Sequence, residues 1–445
     1  MSTQRAQRLL EAPIPSTIAR LAAPGVLLAL FQTAVSIADT HYVGRLGTDA
    51  LAGLALVFPL VMLLQMTSAG AMGGGVSSAL ARALGARDET AARRLVAHGL
   101  AIALGAGLAF TLILLALGEV LYALLGGKGE GLAQALAYSH VLFAGAVFVW
   151  LANTLASVLR GSGNTLAPAL ALAAAALVQI PLSGALTLGW GPFPRLGIAG
   201  AALAYVVAFL VSSLAMGATV WRSALRPRRA DWQFEARHFR EILRVGALSS
   251  LSALQTVLTA VILTGFVGTF GTAALAGYGV GVRLELLQVP LVFAIGQALV
   301  VLVGTHIGAG HAARARKFAW TGTAIAAGIS LTIGVFVAVY PGAWIHIFSD
   351  DPAVLETGSL YLRIVAPFYA LFGAGMALYF ASQGAGRMLL PVLAGTARLV
   401  LVVAGGATVV ALAGPLAAVF AVIACGIALF GALIVTAVYR AKWGA

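Results

Sequence analysis

The sequence predicts an all-α polytopic membrane protein with twelve transmembrane helices arranged as two pseudo-symmetric six-helix lobes. Of its 445 residues, 61% are hydrophobic and only 9% are charged. A soluble domain carries about 25% charged residues, so water alone cannot be the solvent for this chain. Apolar stretches of roughly 20 residues, long enough to cross a bilayer, recur from end to end. Segments of the first half also return in the second half.

The apolar stretches define the predicted spans one after another. The polar N-terminal segment, Met1 to Ala12, is not followed by a short apolar region with a small-residue cleavage site, so we expect the first span to be retained. The longest polar stretch, Trp221 to Arg244, leaves no room for a soluble domain. The twelve spans are predicted at residues 16–39, 50–80, 96–118, 134–159, 165–188, 197–221, 245–270, 273–305, 318–347, 360–383, 389–413 and 415–440.

The basic residues predict the orientation of these spans. With the N-terminus inside, 21 of the 27 Lys and Arg residues fall in cytoplasmic segments, and only four fall in outer loops. Positive charge stays on the cytoplasmic side during insertion. We therefore expect a multi-pass protein of the bacterial inner membrane with both termini in the cytoplasm. The net charge of +13 then reflects topology, and nucleic-acid binding is not expected.

Two segments show that the chain repeats itself. Val43–Gly53 returns as Val267–Gly277, identical at 8 of 11 positions, and Gly161–Pro168 returns as Gly384–Pro391. Each repeat holds six predicted spans, an even number, so both halves enter the membrane in the same direction. This is the parallel kind of transporter repeat, in which substrate sites lie where the lobes meet.

The repeat and the charge pattern together predict three segments. Trp232, Phe239, Ile242 and Leu243 lie roughly along one helical face, which favours an interfacial helix in the basic connection between the halves. The predicted segments are an N-terminal lobe at 1–221, a cytoplasmic linker with this interfacial helix at 222–244, and a C-terminal lobe at 245–445.

Only two acidic residues, Asp39 and Glu285, fall inside predicted spans, where a charge is costly and indicates function by default. Asp39 shares a helix face with Gln32 and Ser36, which makes a polar stripe on an apolar helix. A carboxyl group there can bind and release a proton in each transport cycle; the alternative is an interfacial aspartate that ends the first span. Pro24 in the same helix removes a backbone hydrogen bond and is the hinge candidate.

Glu285 is predicted near the middle of the bilayer, where it is the second ion-coupling candidate. Arg283, two residues earlier, points away from it on a helix, whereas Arg398 is a cation of another span. Two interpretations stay open: contact between Glu285 and Arg398 or the substrate, and a purely structural ion pair. Breaking a buried pair destabilises a fold, so loss of expression alone would not distinguish them.

Patterns of enzyme chemistry are missing from the sequence. It contains no His-Glu-x-x-His metal motif, no Gly-x-Ser-x-Gly nucleophile turn and no nucleotide-binding loop. We therefore expect no enzymatic activity, no bound metal and no cofactor. Any pumping must use a proton or sodium gradient.

Four stretches resemble the multidrug and toxic compound extrusion family of prokaryotic transporters. They are Gln32–Gly53, Leu159–Pro168, Gly191–Ala204 and Tyr361–Gly386, and they cover both halves. The resemblance implies two six-helix lobes and the export of lipophilic cations in exchange for protons or sodium. It also implies that Asp39 is the ion-coupling aspartate of the first helix.

The sequence departs from the family pattern at the ion site. Where prokaryotic relatives carry asparagine and aspartate in the fifth helix, this chain has Gln179 and Ser183. Where another branch has a glutamate in the seventh helix, Gln255 stands here, and the tenth span has no acid. Sodium favours several oxygen ligands, whereas a proton needs one carboxyl, so we expect proton coupling with sodium as the alternative. The substrate and ion-network candidates are Gln32, Ser36, Gln179, Ser183, Gln255, Arg283 and Arg398.

The rival function is a flippase for lipid-linked saccharides, or a metabolite exporter, of the same superfamily. Such flippases usually have more helices and a strongly cationic cavity, whereas the predicted lobe interior offers only Arg283 and Arg398. A membrane enzyme and a passive channel are less consistent with the sequence. The expected partners are small lipophilic cations and the lipid bilayer, and we expect a monomer.

Overall fold

The structure is a computed structural model that describes residues 2–441 and Trp443. Lys442 is one of the 21 basic residues predicted to lie on the cytoplasmic side, and it lies outside the described residues. Within the described part of the chain the regular secondary structure is entirely helical. This agrees with the rule that in lipid every backbone polar group must be satisfied inside the spanning segment.

The first half of the chain ends at Trp221. A π-helix, Met66–Met72, joins α3 and α4 into one continuous span. The pair α6 and α7 is bent by 51° at Gly145 and forms another span. The helices are α1 (Ser2–Glu11), α2 (Ile14–Gly44), α3 (Thr48–Gln65), α4 (Gly73–Gly85), α5 (Glu89–Leu124), α6 (Gly129–Ala144), α7 (Ala146–Gly161), α8 (Leu166–Leu188) and α9 (Ile198–Trp221).

The second half follows the same plan without the π-helix. A short 3-10 turn, Ala366–Phe368, joins α14 and α15 into one span. The helices are α10 (Ala236–Gly268), α11 (Thr272–Gly308), α12 (Ala312–Val339), α13 (Gly342–Ile345), α14 (Pro352–Val365), α15 (Tyr369–Gly384), α16 (Leu389–Ala411) and α17 (Leu416–Arg440).

The number of spans agrees with the sequence prediction. Among the described residues, 11 helical segments are long and apolar enough to cross a membrane, and the bent pair α6–α7 brings the number to 12. The twelve-helix fold class is therefore confirmed. Helix starts follow local chemistry: Asp88 caps α5 by accepting from the Ala91 N–H at 2.8 Å, and Asp351 caps α14 by accepting from Ala353 at 2.9 Å.

Contacts divide the chain into two compact units. Unit 1 comprises Met1–Glu11 and Ala23–Ala247, and unit 2 comprises Ala12–Ala22 and Leu248–Ala445. Each unit has its own core. Large side chains at its centre are fully buried, such as Phe143 in unit 1 and Phe420 in unit 2, both 0% exposed. The division falls inside α2, directly before Pro24.

The connection between the halves differs from the predicted interfacial helix. Arg229–Trp232 form a 3-10 turn, and α10 then runs without interruption from Ala236 to Gly268. Phe239 and Leu243 therefore belong to the first turns of the seventh span. The reason is local: no proline occurs between residues 236 and 268, so nothing ends the helix where the apolar span begins. The predicted linker as a whole belongs to unit 1.

Candidate functional site

Asp39 lies near the C-terminal end of α2 and is half-buried against α8. The Gln179 side-chain Nε2 donates a hydrogen bond to Asp39 Oδ2 at 3.1 Å. Ser183, one turn further along α8, lies close enough to act on the same carboxyl group. In the described part of the chain, Asp39 Oδ1 and Ser183 Oγ have no hydrogen-bond partner. The structure thus brings together three of the residues that the sequence singled out, around an acid with one free oxygen.

Gln32 and Ser36 lie on α2 but are exposed and do not join this contact. The carbonyl of Ser36 accepts a hydrogen bond from Thr40 Oγ1 at 2.8 Å, an ordinary bond within the helix. Among the described residues, no hydrogen bond links either side chain to Asp39. The polar stripe therefore exists on the helix, but only Asp39 reaches α8.

Two tyrosines stand near the acid. Tyr138 on α6 is buried and Tyr205 on α9 is half-buried, and both lie within electrostatic range of Asp39. The Tyr205 hydroxyl accepts a hydrogen bond from the amide of Gln65. These phenols extend the polar surroundings of the carboxyl group without adding a second charge.

A chain of neutral polar groups continues from Gln65 into the π-helix. Asn153 Nδ2 donates to Gln65 Oε1 at 3.0 Å and to Ser68 Oγ at 2.8 Å. Asn153 and Ser68 are 5% and 0% exposed. This network was not predicted from the sequence, because an ionisable side chain within a span was the criterion for a site residue. The signal was present, since Gln65 and Asn153 are uncharged polar residues within apolar stretches, where polar side chains bond across helices.

Unit 2 contains a second acid with hydroxyl partners. Glu285 on α11 accepts hydrogen bonds at Oε1 from Tyr361 and, at 3.4 Å, from Tyr369. Both tyrosines are almost fully buried, at 1% and 0% exposure. Tyr361 follows Tyr138 by 223 residues, the same separation as between Gly161 and Gly384 in the internal repeat. Each unit therefore has a tyrosine of the equivalent helix near its acid: Tyr361 bonds to Glu285, and Tyr138 lies within electrostatic range of Asp39.

The arginines near Glu285 do not form the direct pair that the sequence suggested. Within the described residues no ion pair joins Glu285 and Arg398, although the two charges interact at longer range. The Arg398 guanidinium lies 6.0 Å from the ring centroid of Phe430. Arg283 is exposed and lies 5.2 Å from the ring of Phe348. The carboxylate of Glu285 is therefore hydrogen-bonded by the hydroxyl groups of Tyr361 and Tyr369, and not by the guanidinium of Arg398.

Gln255 belongs to another contact. Its Nε2 on α10 donates to Thr396 Oγ1 on α16 at 2.8 Å, and its Oε1 has no partner in the described part of the chain. No hydrogen bond among the described residues connects it to Glu285. The candidates of unit 2 therefore form two separate contacts.

The family model described as MatE matches residues 24–184 and 249–409, one match in each half. The chain belongs to the MatE family. Its members are transporters, and the double match reproduces the internal repeat seen in the sequence.

Individual relatives of this MatE transporter cover most of its length. A FAD transporter of Shewanella oneidensis is 28% identical over 82% of this chain and 81% of its own. A probable multidrug resistance protein NorM of Thermotoga maritima is 26% identical over 80% of this chain and 76% of its own. A solved MATE transporter in the bent conformation has a TM-score of 0.88 at 26% identity, covering 98% of both chains.

Two substitutions in the contact between Glu285 and Tyr361 should distinguish a role of Glu285 in ion coupling from a purely structural role. Glu285→Gln removes the titratable group, whereas Tyr361→Phe keeps it and removes one donor. If Glu285 takes part in coupling, Glu285→Gln lowers proton-driven drug uptake by on the order of ten-fold, and Tyr361→Phe retains most of it. The measurement is uptake per folded protein in vesicles.

The matched control is Glu130→Gln, because Glu130 is an exposed acid that pairs only with Gln134 in the described structure. Its uptake should equal that of the wild type. Normal uptake in Glu285→Gln, combined with a lowered melting temperature, would assign Glu285 a structural role only. A bond to a charged group contributes about 1.5–3 kcal/mol, so such destabilisation is measurable.

Proposed function

We propose that this MatE transporter is a secondary antiporter that exports lipophilic cationic drugs in exchange for protons. We further propose that it works as a monomer without a cofactor, in the bacterial inner membrane with both termini in the cytoplasm. The observation that carries the proposal is the contact of the intramembrane Asp39 with Gln179 on a neighbouring helix. The coupling ion and the substrate class are the parts of the proposal that need measurement.

The composition of the Asp39 site supports a proton over sodium. Its neighbours Gln179, Ser183, Tyr138 and Tyr205 are all neutral side chains. A carboxyl with a free oxygen and no cationic partner can take up a proton and so lose its charge within an apolar bundle. Sodium, as a hard cation, favours several oxygen ligands and remains the alternative.

Helix α2 carries Asp39, and it is the helix whose shape protonation of Asp39 can change. Pro24 has no N–H to continue the helical hydrogen bonds, which makes it a weak point in a 31-residue helix. The boundary between the two units crosses α2 beside this proline. MATE transporters similar to this chain have been solved in a bent and in a straight conformation, with TM-scores of 0.88 and 0.86. We propose that loss of charge at Asp39 changes the bend of α2.

The test is ethidium uptake by inside-out vesicles that contain the protein. An imposed pH gradient in sodium-free buffer should drive accumulation well above that of vesicles without the protein. Accumulation that requires a sodium gradient would show that sodium is the coupling ion, and the proton assignment would be wrong. No accumulation under either gradient would contradict drug–cation antiport itself.

One observation favours a second candidate, export of a flavin nucleotide. The similar protein of Shewanella oneidensis is named a FAD transporter, and the similarity extends over 82% of this chain. FAD is anionic at neutral pH because of its pyrophosphate, so it is the opposite of a lipophilic cation. The same vesicles distinguish the two functions: uptake of FAD without uptake of ethidium would favour the metabolite carrier.

A further inference from the structure

A basic pocket lies in the segment that follows α9 in unit 1. Its volume is about 440 Å3, and its lining includes Arg226, Arg228, Arg229 and Trp232. All four side chains are exposed. Three arginines thus line one cavity, and an arginine side chain presents paired N–H donors that match two oxygens of a phosphate group.

The acids nearby are engaged with other arginines. Asp231 pairs with Arg93 of α5 at 3.3 Å and also accepts from the backbone N–H of Arg228 at 2.7 Å. Glu235 pairs with Arg94, which lies next to Arg93 on α5.

Glu241, further along the same connection, pairs with Arg82 of α4 at 3.1 Å. Within the described residues, no acid lies at ion-pair distance from Arg226, Arg228 or Arg229. The three positive charges that line the basic pocket are therefore uncompensated.

The backbone of the pocket is fixed to the helices of unit 1. Leu225 is 2% exposed, Pro227 is buried, and Asp231 is 3% exposed. His98 of α5 donates from Nδ1 to the Arg94 carbonyl, and its Nε2 accepts the N–H of Glu235 at 2.9 Å. Because this segment is already held in place, it loses less conformational entropy when a ligand binds. Several weak contacts can therefore together give a measurable affinity.

Aromatic side chains place this segment at the membrane boundary. Trp221 ends α9 at 42% exposure, Trp232 in the pocket is 41% exposed, and Phe234 before α10 is 55% exposed. Tryptophan is enriched at the level of the lipid headgroups, where its ring has one apolar and one polar part. The pocket is therefore situated where a headgroup is available, at the ends of two spanning helices.

We infer that the basic pocket binds the phosphate headgroup of an anionic phospholipid from the adjacent leaflet, with Trp232 and Phe234 against the upper acyl chain. The positive-inside rule assigns this leaflet to the cytoplasmic side, where clusters of basic residues attract anionic lipids. This site is separate from Asp39 and Glu285, and its occupation does not depend on what the protein transports.

The experiment measures lipid binding to the full-length protein in neutral detergent. Phosphatidylglycerol and phosphatidylcholine are titrated separately, and bound lipid is counted by native mass spectrometry. We expect phosphatidylglycerol to bind roughly 100-fold more tightly to the wild type. The variant Arg226→Gln/Arg228→Gln/Arg229→Gln should lose this preference. If the triple variant fails to fold, the three single variants replace it, each with a loss of about five-fold.

The matched control is Arg45→Gln/Lys128→Gln/Arg195→Gln, which removes the same charge from exposed residues of the same unit. It should keep the preference for phosphatidylglycerol. Equal loss in both triple variants would overturn the proposal, since net charge alone would then explain the binding. Retention of the preference in the first triple variant would also overturn it. So would full competition by soluble glycerol phosphate at equal concentration, because the ligand would then be a free phosphate compound instead of a lipid.

Discussion

Asp39→Asn is expected to reduce proton-driven ethidium uptake to the level of vesicles without the protein, a loss of at least about ten-fold. The amide has nearly the same shape as the carboxyl, so α2 can keep its packing against α8. It cannot exchange a proton, however, and the transport cycle loses its coupling group. The measurement is the initial rate of uptake under an imposed pH gradient, normalised to folded protein.

The matched control for this variant is Asp49→Asn. Asp49 is an exposed acid in the first turn of α3, in the same unit, and it undergoes the same chemical change. It should retain the wild-type rate. Wild-type uptake in Asp39→Asn would mean that Asp39 is an interfacial aspartate that ends the first span, and that coupling occurs elsewhere. An intermediate rate that rises with a sodium gradient would contradict a purely proton-coupled cycle.

A large effect on stability is expected at Gly200. A Cβ atom at this position of α9 would lie 2.5 Å from the backbone carbon and oxygen of Leu186 and 2.8 Å from the backbone nitrogen of Thr187, both on α8. Backbone atoms cannot move aside as a side-chain tip can. Helix association in lipid depends on such close approach of small residues. We therefore expect Gly200→Ala to destabilise the protein by about 1–3 kcal/mol and Gly200→Leu to prevent accumulation of folded protein.

Gly105 on α5 is the matched control. A Cβ atom added there would meet no atom within 4 Å apart from the nearby backbone of its own helix. Gly105→Ala should leave the melting temperature unchanged or raise it slightly, since alanine is the better helix former. The melting temperature is measured on purified protein by the loss of its monodisperse size-exclusion peak on heating. Equal melting temperatures for Gly200→Ala and Gly105→Ala would show that α8 and α9 can separate without cost.

Many residues of the candidate site could be predicted from the sequence, but the contacts between them could not. The sequence singled out Asp39, Gln179 and Ser183, and the structure joins them. It equally singled out Gln32 and Ser36, which are exposed, and it did not identify Asn153. For Glu285 the sequence suggested Arg398, whereas the structure gives it Tyr361 and Tyr369. Spacing along one helix shows which residues share a face, but not which helix that face meets.

The twelve spans, the internal repeat and the placement of Asp39 and Glu285 within apolar helices could all be predicted from the sequence alone. These features follow from local composition, because bilayer thickness sets the length of an apolar helix and lipid cannot satisfy a free backbone group. The partners of these two acids and the path of the chain between α9 and α10 became visible only in the folded protein. Those depend on the rotation and crossing of helices that are distant in the sequence, such as α2 and α8. Their close approach is set by packing between side chains, which local periodicity does not specify.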